Sequence, residues 1–250
     1  MARRTALADI QREAAALLDG AEPELGLRML GGLAVRLQAP DGLHPAFTRA
    51  YRDIDLAVPR RRAHRAERYL EEMGYEPDRV FNATTGDRRL LFQDRANGRR
   101  LDVFVGRFEM CHTIPILDRI EVEPRTIPLA ELLLTKLQVV QMTAKDRGDA
   151  LALLHHHPPA DHDAGAVNAA VAARLCAADW GLWRTCTGNL AEARRSIGAY
   201  PLSDAERSRL AESVDRLRDR LDREPKTAGW RLRGRLGERR RWYREPEEVG

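Results

Sequence analysis

The sequence predicts an α+β domain followed by a helical domain, and three observations lead there. Strand-like segments fall only in the first half of the chain, in the order helix, strand, helix, strand, helix, strands. Two of them, "RRLLFQD" and "RLDVFVG", flank the turn "RANGR", and an Asn-Gly turn between alternating segments is a hairpin signal. From about residue 126 onward the apolar residues recur only at helical spacing. Segregated strands and helices of this kind indicate an α+β arrangement, with domains expected at 1–125 and 126–250.

Taken in order, residues 5–19 alternate apolar and polar residues at helical spacing and stop at Gly20. "LGLRML" is a short apolar run feeding Gly31-Gly32, and "LAVRLQ" continues as a short helix until Pro40. Residues 39–51 carry two prolines and a glycine and read as loop. "DIDLAV" is a strand closed by Pro59, and residues 60–73 form a helix rich in Arg and Glu, stopped by Gly74. "RVFNATT" reads as a further strand, before the hairpin. Pro128 opens a strongly apolar helix, since proline suits a first helical turn. "AKDRGDALALL" gives the next helix, and more follow over roughly 165–179, 187–198 and 203–223. "HHHPPADHDAG" reads as a solvated linker, because consecutive histidines point in different directions and two prolines interrupt them. Trp180 and Trp183, at helical spacing, belong to a helical core.

Composition narrows the function. At 250 residues and 43% hydrophobic content the chain is long enough for a substantial core. A net charge of +4 permits an anionic partner without demanding one. Cys111, Cys176 and Cys186 form no CxxC pair and suggest reduced, buried thiols. No apolar run approaches the ~20 residues needed to cross a membrane, and the amphipathic opening, which contains acidic residues, lacks the apolar core of a signal peptide. These features predict a soluble, cytoplasmic protein with no membrane partner.

The chemistry concentrates at a few positions. Gly31-Gly32 suggests backbone that something approaches closely. Asp53 and Asp55 point to one side of their strand, because side chains alternate with period two. Two like charges side by side are unfavourable unless a cation or solvent compensates them. Asp102 lies in an otherwise apolar strand, where an isolated carboxylate would be costly to bury. If the two strands are neighbours, three hard oxygen ligands converge, a set that suits Mg²⁺ with substrate phosphates. The glycines and the helix after them would then face a triphosphate.

Gly-Gly followed by "DIDL", a single Asp in a later strand and "LLLTKLQVVQMTAKDRGDALAL" together resemble the AbiEii-like nucleotidyltransferases of the DNA polymerase β superfamily, which include toxins of toxin–antitoxin systems. The resemblance covers residues 25–155 and implies a nucleotidyltransferase-fold mixed sheet with flanking helices. It implies that Gly31 and Gly32 cradle nucleotide phosphates and that Asp53 and Asp55 bind Mg²⁺. Asp102 would complete the metal site or accept a proton from the attacking hydroxyl. Lys136 and Lys145 would neutralise triphosphate charge, with Asp146 and Asp149 orienting them or touching the nucleotide. The implied activity is NTP-dependent transfer of a nucleoside monophosphate, with release of pyrophosphate, onto RNA such as tRNA; an antitoxin protein is an implied partner. Leu33 departs from the family pattern, which places Ser or Thr there, and residues 39–51 lengthen the spacing to Asp53.

Two other functions fit the residues. A small-molecule acceptor such as an aminoglycoside hydroxyl would call for an acidic cleft, and a degenerate fold serving as an RNA- or partner-binding module would be consistent with Leu33. The C-terminal "TAGWRLRGRLGERRRWYRE" places seven arginines around Trp230, Trp242 and Tyr243. That composition fits either a phosphate-tracking, base-stacking surface or a charged arm whose tryptophans dock on the body.

Overall fold

The computed structural model describes residues 5–39 and 41–245. The chain is α+β with a helical C-terminal region. It divides into two compact units: among the described residues, 5–38, 49–109 and 115–128 make the first, and the remainder the second. Residues 39–48 and 110–114 thus belong to the helical unit, although they lie in the strand-bearing half of the sequence.

In the first unit, helix α1 (Ile10–Asp19) starts late because Asp9 caps it, its carboxylate accepting from the amides of Gln11 and Arg12. Strand β1 (Arg28–Leu30) runs straight into helix α2 (Gly31–Leu37). Strand β2 (Asp53–Val58) follows, then helix α3 (Ala63–Glu72), the two-residue strand β3 (Glu76–Pro77), helix α4 (Arg79–Thr85), and strands β4 (Arg89–Asp94) and β5 (Arg99–Val105). These strands form one sheet in the order β1-β2-β5-β4-β3. Only β2 and β5 are parallel; the other pairs are antiparallel. The outer edge of β1 is covered at Met29, whose amide donates to Arg125 O and whose carbonyl accepts from Ile127 N.

Register gives the sheet two unlike faces. Ile54, Leu56 and Val58 lie beside Leu101, Val103 and Val105, with Leu90 and Phe92 beyond them, and all are buried. The opposite face carries Asp53, Asp55, Arg100, Asp102 and Arg89.

The expected strand at "RVFNATT" is a helix, α4. Its β-favouring Val, Phe and Thr residues are overruled by the Asp78 cap, which accepts from Phe81 N at 3.0 Å, and by Asn82 Oδ1, which accepts from Leu91 N at 2.7 Å. β propensity reflects packing on a half-buried surface, and Val80 is 80% exposed.

The second unit contains helices α5 (Leu129–Leu137), α6 (Ala144–His156), α7 (Ala169–Ala178), α8 (Trp180–Ser196), α9 (Asp204–Arg223) and α10 (Ala228–Leu236). Every residue of α5 is buried. Asn189 of α8 closes its C-terminal end, donating to the carbonyls of Leu137 and Val139, groups that a helix end otherwise leaves unpaired. A capping box at Ser203 and Glu206 starts α9. The histidine run is not a solvated linker: α6 continues through His156, and His155 packs against Phe47 and His44, with ring centroids 5.5 and 5.3 Å away. No helix among the described residues is long and apolar enough to cross a membrane.

Candidate active site

The parallel pairing of β2 and β5 sets Asp55 opposite Asp102 and Asp53 opposite Arg100. Paired residues of adjacent strands share a face, so the three aspartates lie on the same side of the sheet. Asp53 is exposed at the strand start, Asp55 is half-buried and Asp102 is buried.

Asp102 is held in ion pairs with two arginines. Its Oδ1 accepts from Arg89 Nε at 2.9 Å and pairs with Arg89 Nη2 at 2.8 Å, while Oδ2 faces Arg100 Nε at 3.2 Å. Arg89 is held in turn against Phe104, 5.3 Å below its guanidinium carbon. A buried carboxylate needs such partners, and removing one would strand the other charge. Among the described residues no group of three His, Cys, Asp or Glu side chains is gathered closely enough to hold an ion. Asp53 and Asp55 are the further hard oxygen donors on this face, Asp53 exposed and Asp55 half-buried.

At the glycines, Gly31 has φ +71°, a left-handed conformation that strains any residue with a Cβ. A Cβ there would collide with Asp55 Oδ2 and stand 2.9 Å from Asp55 Cγ. A Cβ on Gly32 would collide with Arg49 Nη2 and stand 3.0 Å from its Cζ. What approaches these two residues so closely is therefore a carboxylate and a guanidinium of the chain itself. Arg49 also stacks on Tyr51, 4.8 Å from the ring centroid. The turn thus adjoins Asp55, as the sequence leads one to expect. Leu33 is buried and offers no hydroxyl.

The remaining site candidates belong to the helical unit. Lys136, on α5, places Nζ 2.9 Å from Asp149 and 3.5 Å from Asp146, both on α6. Lys136 and Asp149 are buried, so each neutralises a charge the other would leave unpaired. Asp146 also takes part in the α6 start, its amide donating to Thr143 Oγ1. Lys145 is exposed on the first turn of α6.

The arginine-rich arm docks through its tryptophans. Trp230 meets Trp183 edge to face at 5.1 Å, Trp242 meets Trp180 at 6.2 Å, and Trp242 Nε1 donates to Thr185 Oγ1 at 3.1 Å. Arg233 stacks on Trp180 and donates to the carbonyls of Gly237 and Arg240. Arg231, Arg235, Arg239, Arg240 and Arg244 stay exposed. The rings are spent on packing, and these arginines face outward.

Sequence reasoning missed Arg49, Arg89 and Arg100. Arg100 was findable, being two residues before Asp102 and hence on its face. Arg49 and Arg89 reach their carboxylates and glycines only through the tertiary fold. Set against known proteins, the chain matches no family model, no curated protein and no solved structure.

Proposed function

We propose that the protein is a Mg²⁺-dependent nucleotidyltransferase that moves a nucleoside monophosphate from an NTP to a hydroxyl of an RNA such as tRNA, as AbiEii-like toxins do. The observation that carries this reading is the pairing of Asp53 and Asp55, on one strand face, with a Gly-Gly turn that Asp55 touches. Mg²⁺ is commonly held by one or two carboxylates plus substrate phosphates, so Asp53 and Asp55 suffice as its protein ligands. When bound, it would offset charge developing on the reacting phosphates.

The chain's own residues supply the rest. Asp53, at the exposed start of β2, is accessible to a polyphosphate that carries Mg²⁺. Asp102 serves as a positioning residue, fixing Arg100 beside Asp53 rather than taking a proton. The acceptor hydroxyl attacks the α-phosphorus and gives up its proton to solvent water, the bond to the β-phosphate breaks, and pyrophosphate leaves with that electron pair. Positioning and charge complementarity dominate such a reaction. The exposed arginines of the docked arm favour a polyanionic acceptor, whose binding would weaken steeply with salt.

Incubation with each labelled NTP, Mg²⁺ and total tRNA is the decisive experiment. Transfer of label that Asp53→Asn abolishes is the expected result. Labelling of an aminoglycoside instead would assign a small-molecule acceptor. Absence of Mg²⁺-NTP binding by calorimetry would leave a degenerate fold that only binds partners.

A further inference from the structure

We infer that His44 and His156, with His155 packed against both, form a proton-released clasp that holds residues 41–48 on the helical unit. The clasp operates whatever the protein transfers. Residues 41–48 precede β2 in the chain but pack in the second unit, around the single turn Pro45–Phe47. Two backbone amides of this segment end on imidazole nitrogens. His44 N donates to His156 Nε2 at 3.2 Å, and Ala46 N donates to His44 Nδ1 at 3.2 Å. A backbone N–H can only donate, so both ring nitrogens must be unprotonated. The tautomers follow: neutral His156 carries its proton on Nδ1, and neutral His44 carries its own on Nε2, 3.4 Å from Glu206 Oε1.

A proton on either accepting nitrogen turns it into a second donor and breaks its bond to the segment. The charge would also be poorly placed. The His155 ring lies 5.3 Å from His44 and 5.0 Å from His156, and its buried Nδ1 has no hydrogen-bond partner. His44 and His157 oppose a proton on His156, and Arg209 of α9 opposes one on His155. Glu206 of α9 is the counter-charge, 3.4 Å from His44 and 4.0 Å from His155, and one carboxylate balances one imidazolium. Burial and these neighbours hold His155 and His156 below the usual histidine range. The clasped form therefore binds fewer protons than the released form. Clasping is complete above that range and is lost as pH falls below it. Phe47, buried against His155 and Tyr200 with ring centroids 5.5 and 5.4 Å away, is the pivot that keeps the segment attached. Release is thus local to the turn.

Amide hydrogen exchange of the full chain, read residue by residue by NMR, tests the clasp. Protection factors correct for the slower intrinsic exchange in acid. From about pH 7.5 to about pH 5.5 the His44 and Ala46 amides should lose protection about fivefold, the scale of one lost hydrogen bond. Amides in the middle of α9 should keep theirs. At the higher pH, His156 Nε2 should show the nitrogen shift of an unprotonated ring atom. His156→Gln combined with His44→Asn supplies carboxamide oxygens that accept without titrating, and should hold protection at both pH values. His156→Leu has no acceptor and should leave the His44 amide poorly protected at both. A wild-type loss confined to the turn and abolished in the double variant supports the clasp. Unchanged protection in wild type, a protonated His156 Nε2 at the higher pH, or an equal loss throughout α9 overturns it. So does a loss with pH that persists in the double variant. If the double variant protects the turn at neither pH, His156→Leu decides: weak, pH-independent protection of the His44 amide supports the clasp, and protection that still falls with pH overturns it.

Discussion

The two faces of the five-stranded sheet are built from alternate residues of the same strands, yet they obey different rules. On one, Ile54, Leu56, Val58, Leu101, Val103, Val105 and Phe92 are at most 1% exposed and make no polar demands. On the other, Asp53, Asp55, Asp102, Arg89 and Arg100 bring charge to the same backbone. The apolar face gains free energy by leaving water, about 25 cal/mol per Å². The other face shares that gain at the buried Ala57, Leu91 and Phe104, but at the buried Asp102 and Arg89 it requires ion pairing merely to break even. Within that face Asp102 is locked by arginine, whereas Asp53 is exposed at the strand start.

The largest effect that sharpens this contrast is on transfer itself. Asp53→Asn should lower labelled-nucleotide transfer by at least about 10²-fold, the scale of losing one electrostatic contact to a transition state, while Tm changes by no more than a degree or two. Equal loss of Tm and activity would break the distinction between faces. Phe92→Ala, on the apolar face, should do the opposite, costing about 3–5 kcal/mol of stability in urea unfolding with kcat of the surviving folded protein near wild type.

Asp102→Asn tests the locked group. It should cost about 3–5 kcal/mol, because the buried Arg89 guanidinium loses its counter-charge. Arg89→Met combined with Asp102→Leu should recover most of that stability. Full stability in Asp102→Asn alone would return Asp102 to the list of candidate reacting groups.

Gly31→Ala should cost about 1–3 kcal/mol, from the strain of a side chain at positive φ, and should also depress transfer by displacing Asp55. Chemical denaturation alongside the tRNA-labelling assay separates the two contributions.

The smallest effect concerns pH. Burial holds the His155 and His156 imidazoles below their usual range, with neighbouring histidines adding to the effect; Glu206 opposes it at His155, and Arg209 reinforces it there. The unfolded chain therefore takes up protons that the folded chain resists, so stability is complete above the usual histidine pKa and declines as pH falls below it. These rings are partly open to solvent, which limits the fall in Tm between pH 7.5 and 5.5 to about 2 °C. The charged sheet face holds no histidine, so His155→Gln with His156→Gln should flatten that slope. A slope unchanged in the double variant would shift its origin elsewhere, with the buried His112 the next group to examine.

Much of the frame was legible in the order of residues. Period-two alternation in "DIDLAV" and "RLDVFVG", glycine and proline stops, and helical spacing over most of the chain after Pro128 indicated most of the strands and helices, because those signals are local. They also placed Asp53 and Asp55 on one side of their strand. What the sequence could not decide was everything that depends on a neighbour from elsewhere in the chain. The register that sets Asp55 beside Asp102, the arginines that claim Asp102, and the Arg49 and Asp55 side chains that require Gly32 and Gly31 to be glycines are long-range contacts. "RVFNATT" became a helix for the same reason, since Asn82 bonds a strand residue nine positions away. Local sequence determines how a segment prefers to bend and which way its side chains alternate. Only the tertiary structure decides which charges meet, because the free energy of a buried charge is set by its partner and not by its own place in the chain.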